Sequence, residues 1–395
     1  MMKQQLTNIL AIFLLGTATL FGQEPNNLNS PSKSPNRQEW EQTRQEWEQT
    51  RQEMIDYGID YLRFIQNEEG SFSLSPRGNV GLNAVVLLGL LESGLSIEDP
   101  MLEKGIQFLL NNVQNDGGIY SAGGQIASYE SCLSLSCLNL AKKRGRNDLD
   151  EILNRAEKFV RAQQYNESTE TSSDDVYYGG IGYGNETRPD LSNTQFFIET
   201  LNELGAGPDD PAIQDALIFV SRCQNLETEN NPTEFASKNP DGGFFYTCAG
   251  EGESPAGEIN GGLRSYGSMT YAGLKSLIYA GLDENDPRVK AATEWIRKNY
   301  SVNENPGLGR RGLFYYYHTM SKALSVLNDD IFIDKDQNKH FWKGELIDIL
   351  KEAQNEDGSW VNDNFAWMEN DASLVTGYVL IVLSLCKISE SSFQQ

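Results

Sequence analysis

The chain is poor in residues that build metal centres and covalent scaffolds, with 2 histidines and 5 cysteines among 395 residues. The cysteines (Cys132, Cys137, Cys223, Cys248 and Cys386) are odd in number, irregular in spacing and lack a CxxC pair. A disulfide framework or cysteine-rich zinc site therefore finds no support. Cys132 and Cys137 fall on one apolar segment and read as buried free thiols. Basic residues are also scarce: 32 Lys and Arg against 56 Asp and Glu give a formal net charge of -24. A field of that sign repels nucleic acid and anionic headgroups, so neither is an expected partner. Beyond the N-terminus, no stretch is long and apolar enough to span a bilayer. Hydrophobic residues make up 39%, enough for a core of half-buried helices.

At the N-terminus, Lys3 precedes the apolar run Ile9 to Leu15, followed by the small residues Gly16, Thr17 and Ala18. This is the order of a secretory signal peptide over 1–23, cleaved near Ala18 to Gln23. The chain is expected to be exported to the periplasm or beyond the cell. An uncleaved anchor is the alternative, though the run falls well short of about 20 residues. Residues 24–36 are rich in Pro, Asn and Ser and read as a linker. Seven residues from Arg37 are then duplicated from Arg44, and Trp40, Trp47, Met54 and Tyr61 fall seven apart on one helical face. They suit a leader helix that packs on the main domain or a partner. The expected plan is signal peptide, linker and heptads over 24–52, a main domain over 53–388 and a tail over 389–395.

The main domain repeats itself. An apolar segment ends in Gln, and a loop of Gly and aromatic residues follows. Gln66 leads to Gly70 and Phe72, Gln114 to Gly118 and Tyr120, and Gln163-Gln164 to Tyr178 through Tyr183. Gln224 leads to Phe244, and Gln354 to Gly358 and Trp360; a weaker copy carries Asn299 in the Gln position and Gly312 in the loop. Each of the six copies holds two helices by pattern. The first, amphipathic, covers roughly 53–66, 100–114, 149–164, 210–224, 287–299 and 343–355. Acid-Pro entries at Asp99-Pro100, Asp210-Pro211 and Asp286-Pro287 mark several starts. The second helices, such as 83–91 and 373–385, are apolar nearly all round and should be fully buried. Gly94, Gly205 and Gly281 suit left-handed caps behind them. Two layers follow: amphipathic helices outside, and apolar ones around an oily interior without a buried carboxylate cluster. Periodicity leaves open whether the row is a solenoid or a ring.

The segment Gln354-x-x-x-Gly358-x-Trp360 resembles the QW motif of squalene and oxidosqualene cyclases, and Lys104-Gly105 through Gln114 fits its longer form. Protein prenyltransferase β subunits have related repeats. The resemblance covers about residues 53–388 and implies an all-α, closed α/α toroid, six helices inside six. In such folds the Gln amide braces open backbone groups and the aromatic packs under the next repeat.

Activity is less legible. Cyclases of the squalene-hopene type carry an acidic D-x-D-D-T-A motif whose middle Asp protonates an alkene, which demands an unusually strong, positioned acid. The matching segment runs from Asp190 to Gln195; Asp190 and Thr194 are kept, but Ser192 stands at the donor position and Asn193 beside it. The prenyltransferase resemblance implies zinc held by Asp-x-Cys and a later His. His318, within Tyr317-His318-Thr319, matches the His, but Tyr266 and Ser268 stand where Asp and Cys belong. No metal or cofactor is expected. His340 reads as a surface residue.

If the ring closes, Tyr129, Asn193, Tyr266, Ser268, Tyr317 and His318 should converge on one cavity. Tyr183, Phe244 and Tyr316 would lie nearby, with Asp190, Asp371 and Glu130 as candidate acids. Such a cavity is a default ligand site; alternatively, these groups cap helices and bond one another. Three functions fit: an exported, divergent or non-catalytic toroid that binds an apolar ligand or envelope protein; a terpene cyclase using Asp190 or Asp371; or a secreted glycan-active toroid whose paired carboxylates are Glu130 and Asp190.

Overall fold

The computed structural model describes residues 37–73, 79–184 and 187–389. The signal peptide and the linker of 24–36 lie outside the described residues. The chain separates into a unit ending at Gln42 and a helical body from Thr43 onward. Helix α1 (Arg37–Ile65) passes through position 53 without a break. Among the described residues no helix is long and apolar enough to cross a membrane.

The inner layer consists of α2 (Val80–Glu92), α4 (Ala127–Lys143), α6 (Leu191–Glu203), α9 (Gly267–Tyr279), α11 (Leu313–Leu327) and α13 (Ala372–Leu385). Each packs on the next, and α13 returns to α2, so the ring closes. Its seam is tight: a Cβ on Gly89 of α2 would stand 2.6 Å from the Gly377 carbonyl of α13. The absence of an amphipathic stripe explains the position of these helices. Every residue from Val80 to Leu91, and from Ser373 to Leu383, is buried.

The outer layer is α3 (Pro100–Leu110), α5 (Asp150–Ala162), α7 (Pro211–Arg222), α10 (Pro287–Asn299) and α12 (Trp342–Ala353), with α1 closing the circle through contacts to α12 and to the start of α3. These helices bury one stripe, as Leu153, Ala156, Phe159 and Val160 do on α5. Asp99, Asp210 and Asp286 accept from the backbone two residues on, with Pro in the first turn. Trp47 stacks on Phe341 at 5.2 Å and its indole N–H donates to Asp348 at 2.9 Å. A short helix, α8 (Glu234–Lys238), and two small hairpins decorate the loops.

The repeat residues stitch neighbouring copies together. The Gln224 amide donates to Gly242 in its own loop (2.9 Å) and to the Arg288 carbonyl in the first turn of α10 (2.8 Å). Gln164 bridges Gly179 and Ala212, and Gln66 bridges Gly70 and Met101, in the same way. Gln354 bridges Gly358 and Met54 of α1, tying the last repeat to the first. Gln114 departs from this pattern by bonding Asn112 and Tyr120, and Asn299 reaches only Trp295 in its own helix. Trp360 is fully buried against Gly58, and its indole N–H donates to the Leu350 carbonyl at 2.8 Å.

Candidate functional site

All six inner helices run in the same sense, so their first turns meet at one end of the ring. There they enclose a cavity of about 420 Å³. Each contributes: Leu82 from α2, Tyr129 from α4, Ser192 and Phe196 from α6, Ser268 and Met269 from α9, Tyr315 from α11, and Leu374 and Tyr378 from α13. Loops add Tyr183, Tyr246, Glu253, Tyr266, Trp367 and Met368 around the mouth. The aromatic rings form a belt, Tyr129 against Phe196 at 5.6 Å and Tyr315 against Tyr378 at 6.1 Å.

Of the residues expected to converge, Tyr129, Tyr266 and Ser268 line the cavity, as does Tyr183. Asn193, Tyr317 and His318 do not. Asn193 turns behind the wall, where its amide donates to Asp190 at 2.7 Å. Tyr317 donates to the Val302 carbonyl at 2.7 Å, and Tyr316 to that of Ser301. His318 packs between Phe196 and Tyr378 one turn deeper, where burial lowers its pKa to about 3 and leaves the ring neutral. Phe244 is buried beneath Gly273. Sequence reasoning missed Phe196, Tyr246, Tyr315, Tyr378 and Trp367. Phe196, Tyr315 and Tyr378 lie on helices apolar nearly all round, where no stripe marks the inward face; Tyr246 and Trp367 arrive on loops.

The candidate acids sit at helix entrances. Asp371 caps α13 by accepting from Ser373 and Leu374. Glu130 accepts from the Ser121 amide and hydroxyl and from the Gly81 amide of α2. Asp190 caps α6, accepting from the Asn193 amide at 2.8 Å. None of the three is a lining residue. Burial pushes Asp190 up to about 6, against the opposing hydrogen bonds of Asn193 and Tyr246. Tyr246, a neighbour of this carboxyl, is itself a lining residue.

A raised carboxyl pKa means that the native state holds its proton more firmly than the unfolded chain does. The stabilisation from Asp190 is therefore present at low pH and lost as pH climbs from about 4 through about 6. Asp190→Asn keeps a competent cap. It should gain on the wild type by roughly 2–3 kcal/mol between about pH 4 and pH 7, read from urea midpoints. A pH-independent difference would refute this assignment.

The interior is not oily throughout, which corrects the expectation from the apolar helices. Past the cavity floor, Glu199 on α6 lies between Lys275 on α9 and Lys322 on α11; Lys322 stands 3.0 Å from Glu199 and 3.2 Å from Glu92 on α2. Ser384 of α13 donates to Glu92, and Ser136 of α4 bonds Thr200. All six inner helices thus join one polar plug. Burial alone would raise the Glu199 pKa, but Lys275 and Lys322 outweigh it and hold the carboxyl well below its usual range. Isolated charges inside apolar segments were the available signal. His340 is likewise no plain surface residue: it sits half-buried between Glu345 (2.9 Å) and Asp334 (3.2 Å). The five cysteines are all buried thiols.

No protein-family model matches the chain, and no curated protein does. Solved structures match it by fold. The type II terpene cyclase MstE from Scytonema superposes with a TM-score of 0.54 at 12% identity, over 85% of this chain and 97% of that one. A point variant of that enzyme in complex with its substrate, geranylgeranyl dihydroxybenzoate, gives 0.53 at 13%, over 86% and 98%. An alpha-amylase from Clostridium perfringens gives 0.52 at 12%, over 85% and 97%. The chain has the α/α toroid fold of these proteins. At such identities the likeness carries the fold and no more.

Proposed function

We propose that this chain is an exported, non-catalytic toroid that holds an apolar small molecule in the cavity within its inner ring. The carrying observation is the wall at Ser192. The cyclase resemblance puts a proton donor there, and the position does face the cavity, but it carries a hydroxyl bonded to Tyr315 at 2.9 Å. An alcohol cannot protonate an alkene. Asp190, the remaining acid of that segment, is occupied as a helix cap. What is left is a concave aromatic and aliphatic wall of small-ligand size with a few hydroxyls to orient the guest. Export rests on the N-terminal 23 residues and is checked by fractionating cells that make the full chain.

Native mass spectrometry of protein from its own envelope should find a bound apolar molecule, and incubation with squalene or geranylgeranyl compounds should return them uncyclised. Ligand-free protein in that preparation would sink the binding claim, and any cyclised product the non-catalytic one.

A cyclase is the second reading, favoured by Asp190 being pushed up to about 6 beside Tyr246. It requires product formation that Asp190→Asn abolishes. The glycan-active reading has less support. Hydrolysis of that kind uses two carboxyl groups facing the substrate, whereas among the described residues the cavity wall has one, Glu253, paired with Arg188.

A further inference from the structure

We propose that the cavity's guest is an amphiphile with a quaternary or alkylated ammonium head, which the aromatic belt recognises while the tail lies on the aliphatic wall. This rests on the small-molecule reading above and adds the charge of the ligand. Among the described residues, six tyrosines, one phenylalanine and one tryptophan line the cavity, and Glu253 is its one charged lining residue. Aromatic faces attract cations through the ring quadrupole, best when water is excluded, and alkylated ammonium is the head group such cages take.

An anionic head is the natural rival, because six helix N-termini converge on this end and such termini attract anions. Here the protein's own groups occupy donors at all six ends: carboxylates at four of them, the Tyr183 carbonyl at α4, and Asn305 with the Pro306 carbonyl at α9. Asp190 and Asp371 cap α6 and α13, Glu130 accepts from the Gly81 amide of α2, and Glu369 accepts from the Tyr315 amide of α11. With these donors taken, the helix ends offer an anionic head few open partners. Arg188 and Arg311, described cations beside this wall, are committed. Arg188 pairs with Glu253, while Arg311 donates to the Pro255 carbonyl and lies 5.4 Å over the Trp367 ring. The latter shows a cation already resting on one ring of this wall. The net charge of -24 favours a cationic guest at long range.

The test titrates the full chain by calorimetry at about 0.15 M salt, where nonspecific attraction is screened. The probes are decyltrimethylammonium, decan-1-ol and decyl sulfate, each below its micelle concentration. The ammonium should bind at least tenfold tighter than the alcohol, and the sulfate weakest. Tyr246→Leu, or Tyr183→Leu should the first not fold, keeps the apolar volume and removes a π face. It should weaken ammonium binding about fivefold and spare the alcohol. Equal binding of ammonium and alcohol, preference for the sulfate, or ammonium affinity untouched in both variants would overturn the proposal while leaving an apolar site. Failure of all three probes to bind would overturn the site itself.

Discussion

Lys275→Met is expected to destabilise the protein by about 3–5 kcal/mol, because it strands Glu199 as an unpaired charge in the interior. The Lys275 side chain is 0% exposed and that of Glu199 8%. Lys322 remains beside Glu199 but also serves Glu92, so it cannot neutralise both. The double change Lys275→Met with Glu199→Leu removes both members of the pair and leaves Lys322 with Glu92. Since desolvation offsets most of the attraction in a buried pair, the double variant should recover to near wild type or above it. Chemical denaturation distinguishes these outcomes. A single variant costing under about 1 kcal/mol would mean that water reaches the plug.

The second large effect is at the ring closure. Gly358 has φ +89°, and a Cβ there would lie 2.3 Å from the Tyr57 carbonyl of α1. Gly358→Ala must bear both a left-handed backbone and a collision with the first repeat, together about 3–5 kcal/mol. Gly94 is a matched control, with φ +91° and nothing within 4 Å of its would-be Cβ. Gly94→Ala should cost only the conformational part, about 1–2 kcal/mol. The difference in denaturation midpoints then measures how tightly the ring is closed. Equal costs would show that the last repeat yields easily, against a rigid toroid.

The same glycine shows why the fold was legible. The Gln-Gly-aromatic repeat states a local requirement: a loop glycine in left-handed geometry, with a Gln amide spanning its carbonyl and that of the next outer helix. Copies of this unit at regular spacing can only stack, and the apolar character of the second helices puts them inside. Gln354 differs from Gln224 in nothing local, yet its partner is Met54, 300 residues away. Only the coordinates show that the stack returns on itself.

The site was half legible for a related reason. Tyr129, Tyr266 and Ser268 begin inner helices, and the ring gathers such positions. Asn193, Tyr317 and His318 share that placement but miss the cavity, Asn193 bonding its own cap, Tyr317 a loop carbonyl and His318 lying one turn deeper, since rotation about a helix axis is set by packing once a helix is apolar all round. Glu199, Lys275 and Lys322 lie far apart in the chain and look like blemishes until the ring brings them together.

By itself, then, the sequence determined the helices, their order, their division into two layers and the unit that repeats. These follow from periodicity, caps and glycines, all of which act within a few residues. Ring closure, the facing of each inner side chain, the charge plug and the aromatic cavity were decided by tertiary structure. They depend on which residues meet across the axis, and no local rule carries that information.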